Sequence, residues 1–302
     1  TTMEPELLRA YFYAICEKAV DEGEAGGHFV AITDPGSSLE VRAKEDRYGH
    51  IFLGEPSIGG RYSVLSAFGM VPSAAIGIDV VAFFDTVKIM TGSVGPDAPP
   101  AANPGFQLGA IMGAAAVAGR DKLTLVVSPA LKSFGAWVEQ LIAESTGKQG
   151  KGIVPVDLEP LGGPADYGDD RLFVHLHLDG DHDEDSHTRL AALKAAGHPV
   201  VTIGLARRED IGQEFVRWEI ATAVAGAVLG IDPFDQPDVE DAKVQTRELI
   251  RAYEQSGSLG PERSFFEDRD FAFYGPEEPG GSDAVAILRS YLSPAAPPAY
   301  AA

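Results

Sequence analysis

The alternation of hydrophobic and polar positions from residue 122 onward predicts a regular succession of strands and helices. Four short apolar runs predict strands, at 122–128, 153–156, 171–178 and 199–205. Amphipathic stretches predict helices, at 132–144, 186–196 and 211–229. Near-continuous apolar strands separated by helices are typical of a parallel sheet that is covered on both faces. The pattern therefore predicts a doubly wound α/β fold with three layers.

The first 120 residues are less regular and richer in helix. The pattern predicts two strands and four helical segments: strands 28–33 and 50–53, and helices 4–22, 37–45, 72–91 and 104–119. A glycine-opened segment at 59–70 leads into the third helix. Residues 92–104 are rich in Gly, Pro and Ala, which marks the best candidate for a domain boundary.

The segment DPFDQP at 232–237 ends one predicted helix and begins another at about 238–255. Beyond residue 257 the chain is aromatic and acidic, with little periodicity. These boundaries predict two unequal lobes, 1–95 and 96–256, followed by an irregular extension at 257–302.

Composition and charge exclude several classes of partner. With 24 basic and 45 acidic residues the formal net charge is -21, which argues against nucleic acid or an anionic membrane as a partner. The single cysteine, Cys16, excludes an intramolecular disulfide, and this predicts a reduced, cytoplasmic setting. No apolar run approaches the roughly 18 residues of a membrane span. The chain opens on Thr1-x-x-Glu4, a capping-box pattern without a signal peptide, so we expect it to begin inside a larger protein.

The common motifs for cofactors are absent or weak. The sequence has neither G-x-G-x-x-G after a strand nor G-x-x-x-x-G-K-[ST], so a dinucleotide or Walker-type nucleotide site is not predicted. The stretch HLHLDGDHDEDSH at 175–187 is similar to a metal site, because His175 and His177 share one side of a strand. Strand histidines at this spacing are more often partners of core polar groups, so no metal is predicted.

Glu144 is the first candidate for chemistry. It lies near the end of a predicted helix, where the helix dipole disfavours a carboxylate, and one turn after Gln140 on the same face. Hydrogen-bonding residues follow at 145–148 (Ser-Thr-Gly-Lys). Glu144 is either a solvent-facing glutamate or a base for abstracting a proton next to a carbonyl.

Two further segments have the same ambiguous character. Arg61 follows Gly59 and Gly60 at a helix start, where it is either a surface charge or a group that stabilises an oxyanion. Gln236 and Lys243 lie about two turns apart on the following helix. Each of these residues taken alone would be interpreted as a surface position.

Together, these segments resemble the signature segments of the phosphoglucose isomerase family, whose members have two sugar-isomerase (SIS) domains. The resemblance rests on GGRYSVLSAFGMVPSAAIGID at 59–79, EQLIAESTGKQGKG at 139–152 and DPFDQPDVEDAK at 232–243, which occur in this order. It extends to about residue 255. It implies that residues 1–95 are the remainder of a first SIS domain with connecting helices, and that 96–256 are the second. RSFFEDRDFAFYGPE at 263–277 is similar to the form fused behind transaldolase.

The family resemblance implies a role for each matching residue. Glu144 would be the base that moves a proton between C2 and C1 of the sugar through a cis-enediol(ate). Arg61 would stabilise the negative charge of that intermediate, and Lys243 would assist ring opening. A catalytic histidine for ring opening is also implied, most nearly matched by His187 of SHTRLAAL, and the substrate would contact Gly60, Gln140 and Gln236. In the family this histidine reaches the active site of a partner subunit, which implies a homodimer.

The sequence also departs from the family pattern. The phosphate-binding loop G-I-G-G-S is absent, and Thr1 and Thr2 match only the tail of the second phosphate segment. Thr1 and Thr2 would lie at a helix N-terminus, a favourable position for phosphate. The chain also stops within a further family-like segment, AVAILRSYL, so we expect an internal fragment.

Three functions remain open. The leading hypothesis is isomerisation of glucose 6-phosphate and fructose 6-phosphate without a metal or organic cofactor. The second is a SIS module that binds a sugar phosphate without converting it. The third is a metallohydrolase that uses His175 and His177.

Overall fold

The computed structural model describes residues 3–181, 183–235, 237–260, 263–275 and 280–292. The chain forms two compact units, 1–236 and 237–302. Within the described ranges, no helix has both the length and the apolar character needed to cross a membrane.

The first unit opens with a helix and a parallel pair of strands. The elements are α1 (Met3–Glu17), β1 (Val30–Thr33), α2 (Ser38–Glu45) and β2 (His50–Leu53). The two strands pair in parallel from Val30 with His50 to Thr33 with Leu53. Helix α1 ends at Glu17 and not at residue 22 as predicted. The residues that follow include two carboxylates, which are unfavourable at a helix C-terminus, and Gly23 has a left-handed φ of 83°.

Three helices connect this pair to the main sheet: α3 (Ala67–Ala75), α4 (Val80–Ser93) and α5 (Pro104–Val117). The prediction of one helix at 72–91 is wrong, because the helix is interrupted between α3 and α4. Gly77 has a φ of 92°, and the Asp79 carboxylate caps α4 by accepting from the N–H groups of Val81 and Ala82. A left-handed glycine followed by an aspartate cap ends one helix and begins the next.

The main sheet has four parallel strands with helices on both faces. The chain continues with β3 (Lys122–Val127), α6 (Ser133–Thr146), β4 (Val154–Val156), β5 (Arg171–Leu178), α7 (Glu184–Ala195), β6 (Val200–Leu205) and α8 (Ile211–Leu229). The strand order is β4-β3-β5-β6, and every pair is parallel. This confirms the predicted doubly wound α/β class.

Strand side chains alternate between two cores. Leu172, Val174 and Leu176 of β5 join the large core that includes residues of α5, α6 and α8. Phe173, between them, points to the opposite face and packs with Leu193 of α7. Alternation of successive side chains between two apolar faces is what a central sheet of three layers requires.

The second unit contains α9 (Pro237–Ser256), a short antiparallel pair formed by β7 (Phe266–Glu267) and β8 (Ala272–Phe273), and α10 (Ala284–Leu292). The helix α9 agrees with the prediction at 238–255. The short strands and α10 were not predicted from the periodicity. The assignment of domains to 1–95, 96–256 and 257–302 stays a prediction.

Candidate functional site

Arg61 is a buried cation that is fixed by several acceptors. It lies on a single 3₁₀ turn, Gly60–Tyr62, and its side chain is 2% exposed. Nη1 donates to Ser145 Oγ at 2.7 Å and to the Pro233 carbonyl at 3.1 Å. Nη2 donates to the carbonyls of Phe234 and Asp235 at 3.4 and 3.1 Å. The guanidinium therefore has a fixed position and keeps its charge, because neutral dipoles compensate for its removal from water.

The carbonyl acceptors come from the turn DPFD, which directly follows α8. Helix α8 is ended by Gly230, which is left-handed with a φ of 68°. The Asp232 carboxylate then accepts from the Phe234 N–H at 2.8 Å. This side-chain turn directs the next carbonyls toward the guanidinium. From the sequence, this segment was predicted only to end one helix and begin the next. Its role as an acceptor for Arg61 was missed, because main-chain carbonyls do not depend on the identity of the side chains.

Glu144 lies beside Arg61, in the last turn of α6. Its Oε2 is 3.6 Å from Arg61 Nε, and its Oε1 accepts from Gln140 Nε2 at 3.1 Å. The Glu144 side chain is 38% exposed, so one face of the carboxylate is open to solvent. Among the described residues neither Oε2 of Glu144 nor Nε of Arg61 has a hydrogen bond. The structure thus brings together three predicted residues that the sequence separates by up to 83 positions.

Residues 145–148, which follow Glu144, bond within the protein. They were considered as hydrogen-bond donors for a ligand beside Glu144, and the structure does not place them in that role. Ser145 accepts from Arg61, and Thr146 Oγ1 accepts from the Ile153 N–H at 2.9 Å. Lys148 Nζ donates to the Asp232 carbonyl at 2.6 Å and forms an ion pair with Asp235. Ser145 and Thr146 are fully buried. These polar groups therefore bond to other protein groups, and the contacts connect the end of α6 to the DPFD turn.

Two neighbours of Arg61 shape its surroundings. Among the described residues, no heavy atom lies within 4 Å of where a Cβ on Gly60 would be, so these residues leave room for a ligand there. Tyr62 donates to Ser145 Oγ at 3.3 Å. Burial raises the pKa of the Tyr62 phenol, and the hydrogen bond with Ser145 opposes that rise. The phenol is therefore a neutral donor that secures Ser145, a role that sequence reasoning missed.

His187 does not join Glu144 within this chain. It lies in the first turns of α7, which follows the carboxyl end of β5, whereas α6 returns to the edge where the strands begin. At that edge the N–H of Val154 bonds to the carbonyl of Asp121 just before β3. His187 is instead grouped with His175 and His177 of β5, at ring-centroid distances of 5.0 and 4.6 Å. Glu144 and His187 thus lie at opposite edges of the sheet.

Four other predicted positions stay predictions. Thr1, Thr2 and Gln236 lie outside the described residues, as does the side chain of Lys243, whose backbone belongs to α9.

The geometry at Arg61 suits chemistry that creates a negative charge. A carboxylate with a free oxygen could accept a proton, and a fixed guanidinium next to it could stabilise the resulting anion. A metal is not required for either step.

The sequence is similar to curated glucose-6-phosphate isomerases. It is 29% identical over 304 residues to that of Limosilactobacillus reuteri, covering 85% of this chain and 65% of the relative. It is 30% identical over 287 residues to that of Symbiobacterium thermophilum, covering 83% of this chain and 64% of the relative. The chain therefore spans slightly less than two thirds of the length of these relatives. No family model matches the sequence.

Solved structures support the fold. A hypothetical protein from Thermus thermophilus superposes with a TM-score of 0.70 at 22% identity, covering 82% of this chain and 69% of that protein. A glucose-6-phosphate isomerase from Chlamydia trachomatis superposes with a TM-score of 0.66 at 19% identity, covering 84% of this chain and 58% of that protein. The fold is thus the α/β three-layer arrangement of these proteins, and the sequence relatives support a phosphoglucose isomerase-type family for the chain.

Proposed function

We propose that this protein is an aldose–ketose isomerase that interconverts glucose 6-phosphate and fructose 6-phosphate. The observation that carries the proposal is the pairing of the Glu144 carboxylate with the buried Arg61 guanidinium at 3.6 Å. The names of the sequence relatives agree with this activity. Neither group alone distinguishes an enzyme from a binding module, but a module that only binds has no need of a base beside a fixed cation.

The proposed reaction moves one proton from C2 to C1 of the sugar and a second proton from the C2 hydroxyl to the C1 oxygen. Glu144 takes the proton from C2 of the open-chain aldose, and the electron pair of that bond forms the C1–C2 double bond of a cis-enediol(ate) with its negative charge on the C1 oxygen. Arg61 stabilises this oxyanion, because its charge is fixed before the reaction begins. The C2 hydroxyl proton passes to the C1 oxygen, the C2 carbonyl forms, and Glu144 returns its proton to C1, which gives the ketose. Gln140 holds Oε1 of the base, so that Oε2 is the oxygen that exchanges the proton.

The finer parts of the proposal rest on sequence resemblance. They are a homodimer in which His187 acts in the partner's site, ring opening by Lys243, substrate contacts by Gly60 and Gln236, and phosphate binding by Thr1 and Thr2. We also propose a cytoplasmic location. A transaldolase fusion rests on residues 263–277 alone.

The test is exchange of the sugar C2 proton with solvent. The purified chain is incubated with glucose 6-phosphate in D₂O, with and without EDTA, and deuterium at C2 and fructose 6-phosphate are measured by NMR. We expect both signals, at rates that EDTA does not lower. Binding of glucose 6-phosphate without exchange would contradict the proposal and favour a non-catalytic SIS module. Activity that EDTA abolishes would contradict the metal-free mechanism.

A further inference from the structure

Three histidines from two elements meet at the carboxyl edge of the main sheet. His175 and His177 lie two residues apart on β5, and His187 reaches them from α7. One ring nitrogen of each residue lies within 4.8 Å of the corresponding nitrogens of the other two. His175 is buried, His177 is half-buried and His187 is exposed. The group is therefore open to solvent on one side only.

The ring nitrogens are arranged to offer lone pairs. Nδ1 of His187 lies 2.8 Å from the Asp183 carbonyl. A carbonyl only accepts, so Nδ1 is the donor in this contact, and Nε2 is the nitrogen that remains to bind an ion. A histidine held in this way through its second nitrogen is typical of a metal ligand. Nδ1 of His177 is buried and has no hydrogen-bond partner among the described residues, which is costly unless another group binds there.

The surroundings of the three rings favour a bound cation. His175 is the buried member of the group, and its ring centroid lies 5.5 Å from that of His177 and 5.0 Å from that of His187. Asp179 lies near the opening, with its carboxylate 3.9 Å from Nε2 of His177. The chain as a whole has a net charge of -21, and this field attracts cations.

We propose that His175, His177 and His187 form a binding site for one first-row divalent transition metal ion such as Zn²⁺. Imidazole nitrogen suits Zn²⁺, Ni²⁺, Co²⁺ and Cu²⁺, whereas Mg²⁺ and Ca²⁺ prefer oxygen ligands. Zn–N bonds of 2.0–2.1 Å place tetrahedral ligand atoms about 3.3 Å apart. The ring nitrogens lie within 4.8 Å of one another, so the exposed His187 would move closer to the strand when an ion binds. Three protein ligands leave one position for water or another ligand.

The site shares His187 with the proposed isomerase reaction but does not depend on that reaction, so its test uses binding alone. The probe is Zn²⁺, titrated by calorimetry into tag-free protein that has been treated with chelator and dialysed. Co²⁺ provides a second probe, since its visible spectrum reports coordination by nitrogen at low coordination number. We expect one equivalent of each ion to bind, and a tenfold excess of Mg²⁺ not to compete.

The variants that break the site are His187→Gln and His177→Gln. Loss of an outer partner of a metal ligand costs 10–100-fold in affinity, so loss of a ligand should weaken Zn²⁺ binding by at least about 100-fold. His187 is exposed, which makes a failure to fold unexpected for that variant. The matched control is His50→Gln, since His50 is exposed on β2 of the other sheet. It should bind one equivalent with unchanged affinity.

Three results would overturn the proposal. Wild-type protein without a bound equivalent at millimolar Zn²⁺ has no such site. Unchanged affinity in both His187→Gln and His177→Gln would place the ion elsewhere. Equal weakening in the His50→Gln control would show binding to scattered surface histidines.

Discussion

The two edges of the main sheet hold ionisable side chains in opposite ways. At the edge where the strands begin, the buried Arg61 donates to one hydroxyl and three carbonyl oxygens. At the edge where they end, the buried His175 lies among other histidines, and Nδ1 of the neighbouring His177 has no partner in the described part of the chain. The first edge thus provides acceptors for both terminal nitrogens of its buried guanidinium, whereas the second leaves this buried ring nitrogen without one.

This difference decides which charge state each edge keeps. A buried ion persists where polar groups replace its hydration, and a titratable group without them becomes neutral. Arg61 is therefore suited to stabilise a negative intermediate. His175, whose pKa burial lowers to about 4, is suited to donate a lone pair. The following predictions alter one edge at a time.

The largest effect should follow from replacing the proposed base. Glu144→Gln keeps the volume and the hydrogen-bonding capacity near Gln140 but cannot accept the C2 proton. We expect kcat to fall by about 10²–10⁴-fold, with little change in sugar-phosphate binding. The assay is coupled turnover of fructose 6-phosphate, with calorimetry for binding. The control is Glu139→Gln, at an exposed position on the same helix. If Glu144→Gln retains more than a tenth of the wild-type rate, Glu144 is not the base.

A smaller effect should follow from changing the shape of the cation without its charge. In Arg61→Lys a single ammonium group replaces the planar fork that reaches Ser145 and the DPFD carbonyls. We expect kcat to fall by about 10²-fold, as for loss of one oxyanion donor. Unpaired buried carbonyls should also lower the free energy of unfolding by about 1–3 kcal/mol. Arg42→Lys, at an exposed position of α2, should alter neither kcat nor the urea midpoint. Wild-type turnover in Arg61→Lys would show that charge alone is sufficient.

The sequence predicts the layers of the fold well and the helix boundaries less well. Apolar runs separated by amphipathic stretches define β3 to α8, because burial on both faces leaves a strong pattern. The break between α3 and α4 was missed, because the residues around Gly77 and Asp79 are mostly apolar and the hydrophobic pattern continues across them. A left-handed glycine is visible in backbone angles and not in hydrophobicity.

The candidate site follows the same logic. Glu144, Gln140 and Arg61 were found through local motifs, and their proximity depends on how α6 packs against the turn after α8. The acceptors for Arg61 are main-chain carbonyls, which any residue could provide, so no side-chain pattern identifies them. The alternation on β5 predicts that His175 and His177 share a side. That His187 lies beside these two residues depends on where α7 packs against the sheet, and the hydrophobic periodicity does not predict that position.

The two edges should be coupled if both proposals hold. Zn²⁺ bound at the histidines would occupy Nε2 of His187 and prevent it from assisting ring opening. One equivalent of Zn²⁺ should therefore lower turnover of the cyclic sugar phosphate by about tenfold, and EDTA should restore it. Exchange of the C2 proton from the open-chain form needs Glu144 and should be affected less. His177→Gln should require at least about 100 times more Zn²⁺ for the same inhibition, in line with its weaker binding. Full activity with a bound equivalent would separate His187 from catalysis.

The smallest effect concerns Glu219 of α8, a carboxyl in the same unit as Arg61 that lacks such partners. Its Oε1 is buried and has no hydrogen bond from any described residue, and burial raises the pKa of Glu219 from 4.5 to about 8. Below pH 4.5 the carboxyl is neutral in both the folded and unfolded states and carries no penalty. Between pH 4.5 and 8 the unfolded chain releases this proton more readily, so native stability falls as pH rises.

Glu219→Gln removes that titration and should stabilise the protein only at high pH. The pKa difference sets an upper limit of about 5 kcal/mol, and because the side chain is partly accessible we expect about 2 kcal/mol. Urea unfolding at pH 5 and pH 9 measures the effect, with the exposed Glu254→Gln as control. A gain that is the same at both pH values would mean that Glu219 stays ionised in the folded protein. The charge state of a buried group would then depend on more than the partners that surround it.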